Sequence, residues 1–150
     1  MYEFVDPNRF SHNAGKSQKR AEILADVMKE AIEDQIFLAP YNSNSHWALV
    51  AIDPYANKAY FMDPLGRRPC PDVRDVLKLL LFTANNELMA PFQPGAIECG
   101  FYVMRFMKDI IEMHILSTTE KAFEKKTYAS EEIDLMRNEW ASYVRSLLKI

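Results

Sequence analysis

The sequence predicts an α+β domain in which helices pack on a small, largely antiparallel sheet. Three observations carry that expectation. Two short apolar runs, His46–Ile52 and Lys58–Met62, are separated by the turn-forming stretch Asp53-Pro54-Tyr55-Ala56-Asn57, so they read as a hairpin. Apolar residues at three- and four-residue spacing before and after that hairpin mark amphipathic helices. One further segment, CGFYVMRFMKDIIEMHIL from Cys99, is apolar nearly all round and belongs in the centre of a core.

Composition bounds the rest. A chain of 150 residues fits one domain, and at this size roughly 70% of the surface of the unfolded chain is buried on folding. Residues 1–150 are therefore expected to form a single domain. Apolar residues make up 49% and charged residues 26%, with a net charge of −3 spread along the chain, so neither a disordered segment nor a broad nucleic-acid or membrane surface is expected. No stretch reads as a signal peptide or membrane span, and two cysteines are few for a disulfide framework. An intracellular location, nuclear or cytoplasmic, with reduced thiols and a monomeric state is the expectation. His12, His46 and His114 are far apart and lack the close Cys or His pairs of a zinc site, so no metal or other cofactor is expected.

Taken in order, residues 1–17 mix Pro, Asn, Gly and Ser with scattered aromatics and read as an irregular entry. From about Lys16 to Phe37, Leu24, Val27, Met28, Ala31 and Ile32 form one helical stripe, while Arg20 and the neighbouring Lys and Glu residues fall on the other side. IFLAPYN is a short apolar run stopped by Pro40 and the polar cluster Asn42–Ser45, ahead of the hairpin. Pro64 to Pro71 is a loop, and Pro71-Asp72 opens a helix with Val73, Val76, Leu77, Leu80 and Leu81 on its buried side. A linker with Pro91, Pro94 and Gly95 leads to the Cys99 helix. Ser130, Glu131 and Glu132 begin a last helix whose apolar face is Ile133, Met136, Trp140, Val144 and Leu147.

The chemistry-bearing residues sit at the ends of these elements. A hairpin brings His46, which begins one strand, beside Asp63, which ends the other, provided the register is even; Asp63 opposite His46 or Ala48 both satisfy this. Cys99 stands at the N-terminus of the most apolar helix, where free backbone N–H groups and the helix dipole favour a thiolate. An imidazole at His46 would pair with that thiolate, Asp63 would fix its tautomer, and the Gln93 amide together with the Cys99 N–H would stabilise an oxyanion. Each residue alone has an ordinary reading: a small core thiol, a strand-edge histidine, a turn aspartate, a loop glutamine. Their order, and Gly100 directly after the cysteine, distinguish the set.

The combination H-W-x-L-x-x-I-D, then F-M-D-P-L-G, then Q-x5-C-G and an apolar helix resembles the catalytic half of the ubiquitin-like-protein-specific (SUMO-type) cysteine proteases, in the divergent versions found in plant genomes and transposable elements. The resemblance implies a papain-like fold. It also implies a thiol peptidase or isopeptidase that cleaves after the Gly-Gly end of a SUMO-like modifier, in precursors or conjugates, with no cofactor. It makes His46 the general base, Asp63 the orienting acid, Gln93 the oxyanion amide and Cys99 the nucleophile. Trp47 would roof the tunnel for the modifier tail. Two differences stand out. Glu98 replaces the family's Asp before the cysteine, and the 45 residues ahead of His46 contain no Trp-Leu-x-Asp element for a second tunnel wall, which suggests N-terminal truncation. A protease relic that only binds a modifier is the alternative function. An acyltransferase on the same triad is a third, although Arg67-Arg68 is the sole basic stretch available for an acyl carrier. Cys70 is expected to be an ordinary loop thiol.

Overall fold

A computed structural model describes residues 1–80, 86–87, 90–114, 116, 123 and 125–149. Its elements are β1 (Tyr2–Phe4), α1 (Pro7–Phe10), a 3-10 turn at His12–Ala14, α2 (Ser17–Val27), β2 (Ile36–Asn42), β3 (Trp47–Asp53), β4 (Lys58–Met62), α3 (Pro71–Leu80), β5 (Asn86–Glu87), α4 (Cys99–Met113) and α5 (Ser130–Leu148). The strands form one sheet in the order β1-β2-β3-β4-β5. Its long inner pairings, β2 with β3 and β3 with β4, are antiparallel, and the short outer strands β1 and β5 add in parallel.

Each face of the sheet is covered, which is why β3 is apolar at consecutive positions rather than alternating with polar ones. On one face Phe37, Ala39, Val50, Ile52 and Phe61 pack with α1, α2 and α3. On the other, Leu38, Leu49, Ala51 and Met62 pack with Tyr102, Val103, Phe106 and Ile110 of α4. Fold class and hairpin match the expectation: α+β, helices on a mostly antiparallel sheet.

Several element-level expectations are corrected. The entry segment is ordered, because Phe10 at the end of α1 is fully buried and the Asp6 side chain caps that helix by accepting from the Asn8 N–H at 2.9 Å. The helix expected over 16–37 stops at Val27. The chain turns through residues 28–35, with Asp34 at φ 60°, so that β2 can begin at Ile36; Ile32, expected in the stripe, is 50% exposed as a result. Arg20, placed by periodicity on the solvent side, is 1% exposed, because Asp72 of α3 offers it a carboxylate. Along α3, Val73, Val76 and Leu77 are buried as expected and Leu80 packs at the margin, while Leu81 lies outside the described residues.

The last helix also departs from its pattern. Ile133 is buried and Met136 half-buried, but Trp140 and Leu147 are 48% and 62% exposed. α5 docks on α4 through its first half, as the cross-helix pairs Arg105–Glu132 and Lys108–Glu139 show, and its apolar stripe runs on past that contact. Its start is held by the Glu132 carboxylate, which reaches back to accept from the Ala129 N–H at 3.0 Å.

Candidate active site

The hairpin geometry sets the site. β3 pairs with β4 so that Leu49 faces Met62, and one further step of the same register puts Ala48 across from Asp63. That is the even register which keeps His46 and Asp63 on one side. Each residue lies one position beyond its strand, at the same end of the sheet. The tight β2–β3 connection presents His46: Asn44 takes φ 73°, and the Ser43 N–H donates to the His46 carbonyl at 2.9 Å. His46 Nε2 meets Asp63 Oδ1 at 2.7 Å, with the imidazole 12% and the carboxylate 4% exposed.

Asp63 is locked by its own turn. The Leu65 N–H donates to Asp63 Oδ1 at 2.7 Å and the Gly66 N–H to the Asp63 carbonyl at 2.9 Å. Gly66 adopts φ 64°, a conformation that a side chain would strain, so the Asp-Pro-Leu-Gly sequence is the turn that aims the carboxylate. The same turn reaches the Gln93 loop, where the Gln93 N–H donates to the Pro64 carbonyl at 2.7 Å. The Gln93 side chain is fully buried. Its Nε2 donates to the Gly95 carbonyl at 2.7 Å, which leaves the second amide hydrogen for another acceptor, and its Oε1 has no partner among the described residues.

Cys99 is the first residue of α4 and is 5% exposed. The Trp47 N–H points at its sulfur across 3.5 Å. A methyl group placed on Gly100 would meet Trp47 Cδ1 at 3.6 Å, so the indole edge lies against that glycine. The sulfur thus lies at the N-terminus of a helix of 15 residues with a backbone N–H aimed at it. Sequence reading did not anticipate this N–H, since it depends on how α4 docks on β3. The Leu65 N–H was legible in principle from the turn sequence. Neither cysteine is in a disulfide.

A groove of about 690 Å³ opens beside the thiol, lined by Trp47, Cys99, Phe101, Met104 and Trp140 among others. Four of the five residues singled out from sequence, His46, Trp47, Asp63 and Cys99, thus gather at one end of the sheet, and Gln93 is tied to the same turn through its backbone. Among the described residues no group of three or more His, Cys, Asp or Glu is arranged to hold a metal, and no helix is long and apolar enough to cross a membrane.

Comparison with known proteins follows this geometry. The model of the Ulp1 protease family, C-terminal catalytic domain, matches residues 7–148. No curated protein matches by sequence. Among solved structures, the Xanthomonas campestris effector protein XopD bound to ubiquitin is similar with a TM-score of 0.65 and 15% identity, over 91% of this chain and 77% of that one. The C-terminal Ulp1 protease domain in complex with SMT3, the yeast ortholog of SUMO, has a TM-score of 0.57 and 19% identity, over 91% of this chain and 64% of that one. The SUMO protease Ulp1 with its catalytic cysteine oxidised to a sulfonic acid has a TM-score of 0.59 and 19% identity, and this chain spans 65% of it. The fold is therefore the papain-like one of these proteases, and the chain spans just under two thirds of the Ulp1 domain's length.

Proposed function

From the premise that this chain belongs to the Ulp1 protease family, we propose that residues 1–150 act as one catalytic unit, a cysteine peptidase or isopeptidase that cleaves after the C-terminal Gly-Gly of a ubiquitin-like modifier. The observation that carries the reading is the meeting of three groups at one sheet end: the Cys99 sulfur on the Trp47 N–H at 3.5 Å, and the His46–Asp63 pair at 2.7 Å.

The chemistry follows from those positions. His46 takes the thiol proton on Nδ1, and the thiolate attacks the carbonyl carbon of the terminal glycine. The negative oxygen so formed accepts from the Cys99 backbone N–H and the free hydrogen of the Gln93 amide. When the C–N bond breaks, the imidazolium returns its proton to the leaving amine and a thioester remains. Water, deprotonated by His46, then hydrolyses the thioester and frees the modifier's carboxylate and the thiol. Asp63 keeps the Nε2–H of His46 oriented and compensates the imidazolium throughout. Trp47, its indole edge against Gly100, walls the groove beside the thiol on the side where a Gly-Gly tail would lie.

The neighbours bound to ubiquitin and to SMT3 support a modifier of this class as partner. The test is covalent capture. Incubation with a panel of ubiquitin-like modifiers carrying a C-terminal vinyl ester should add one modifier mass to the protein, at the peptide containing Cys99, and Cys99→Ala should abolish the adduct. A folded protein that labels with no member of the panel overturns the reading. Modifier binding of equal affinity in wild type and Cys99→Ala, without turnover, would mark the chain as a binding relic instead.

A further inference from the structure

α5 sends one basic side chain to the front of α4. Arg137 Nη2 lies 2.6 Å from Glu98 Oε1, and its Nη1 lies 2.6 Å from Asp134 Oδ1. Its guanidinium carbon stands 4.9 Å from the centre of the Phe101 ring. Glu98 immediately precedes Cys99 and is the N-cap residue of α4, yet its side chain caps nothing. The carboxylate is turned instead toward α5, in space left by Gly95, where a Cβ would stand 3.4 Å from Glu98 Oε2.

We propose that Arg137 is a positioning residue for Cys99: it neutralises the carboxylate beside the nucleophile and, by stacking on Phe101, holds one wall of the groove. The inference rests on Cys99 being the nucleophile. An unpaired carboxylate on the adjacent residue would disfavour a thiolate, working against the helix N-terminus and the Trp47 N–H. The charged groups facing the sulfur end of α4 come from three directions. His46 and Asp63 lie at the strand ends and form their own pair, Glu98 leads into α4, and Arg137 with Asp134 lies on α5. Arg137 is the cation that balances Glu98. Because the Glu98 and Arg137 side chains are 28% and 37% exposed, water and salt screen the effect. A unit charge near a thiol at such a partly exposed site shifts it by about half a pH unit.

The test is the rate of iodoacetamide alkylation against pH, read by peptide mass spectrometry so that Cys70 in the same molecule serves as reference. Arg137→Gln should move the Cys99 inflection up by about half a unit, roughly a threefold loss of thiolate below it, and leave Cys70 unmoved. Glu98→Gln/Arg137→Gln should return the inflection to the wild-type value, although the stack on Phe101 is missing in both variants. Arg137→Lys, which keeps a cation without a planar group, should also keep the wild-type inflection. An unshifted Arg137→Gln, or a double variant that stays shifted, overturns the inference alone. A wild-type Cys99 that alkylates no faster than Cys70 at neutral pH overturns the nucleophile reading as well.

Discussion

Two places in the molecule each carry a cysteine, a histidine and an aspartate, and the two sets are held differently. At the sheet end that meets the start of α4 these are Cys99, His46 and Asp63. On the α2–α3 face, Cys70 precedes α3, His12 Nδ1 lies 3.4 Å from Asp72 Oδ2, and the Tyr41 hydroxyl bonds Asp72 at 2.9 Å and lies 3.6 Å from the Cys70 sulfur. The difference is what the carboxylate faces. Asp72 is held by the buried Arg20 guanidinium, whose Nη1 also donates to the Phe10 carbonyl. Arginine is always charged, so that pair is permanent and structural. Among the described residues Asp63 instead meets the His46 imidazole and the Leu65 N–H. Among the described residues, the polar partner of the Cys70 sulfur is the Tyr41 hydroxyl.

This contrast can be broken from either side. The largest effect is expected for Asp63→Asn, which keeps an acceptor for the Leu65 N–H but loses the charge that fixes His46. Turnover should fall by about 10⁴-fold, as in comparable triads, with the melting temperature nearly unchanged. A loss under tenfold would remove Asp63 from the proposed machinery.

Next comes Asp72→Ala, which strands the Arg20 charge in the interior. It should cost about 3–5 kcal/mol in a urea titration while the folded fraction keeps its activity. The wild-type contribution also has a pH signature. Burial pushes the Asp72 carboxyl up, but hydrogen bonds from Arg20 and Tyr41, the Arg20 charge and His12 outweigh it, so the group sits below its ordinary 3.8. A lowered folded-state value means the stabilisation is complete above that ordinary value and is lost as the pH falls through the folded one. Acid unfolding below about pH 4 should therefore lose part of its steepness in Asp72→Ala. An identical acid profile would contradict the assignment.

The smallest effect is expected for Cys70→Ser, which should leave modifier capture intact and change stability by about 1 kcal/mol or less, since the sulfur makes one weak contact with Tyr41. Loss of capture in that variant would show that the two clusters are not separate.

Much of the α4-side site could be read along the chain because its parts are local in sequence. Two short apolar runs and an Asp-Pro turn mark the hairpin, Asp-Pro-Leu-Gly aims the acid, and Gly100 follows the thiol at a helix start. The parity of the β3–β4 register was open, since a strand pattern that is apolar on both faces allows either choice; docking of α4 on the Leu49 side decides it. The α2–α3 cluster was not legible. Arg20 and Asp72 are 52 residues apart, and a helical wheel assigns an arginine to solvent unless a distant carboxylate is known to meet it. The same limit hid Arg137, 39 residues from Glu98. It also misplaced Trp140 and Leu147, because an apolar stripe does not say how far along its length a neighbouring helix reaches.

By itself the sequence determined the β3–β4 hairpin, the starts of α3, α4 and α5, and the residue types waiting there, since capping, turn chemistry and periodicity act over a few neighbouring residues. The tertiary structure alone decided which carboxylate meets a permanent cation and which meets a titratable ring. It also decided which cysteine receives a backbone N–H on its sulfur. Those choices depend on contacts between segments tens of residues apart, where packing of whole elements, and not local preference, sets the distance.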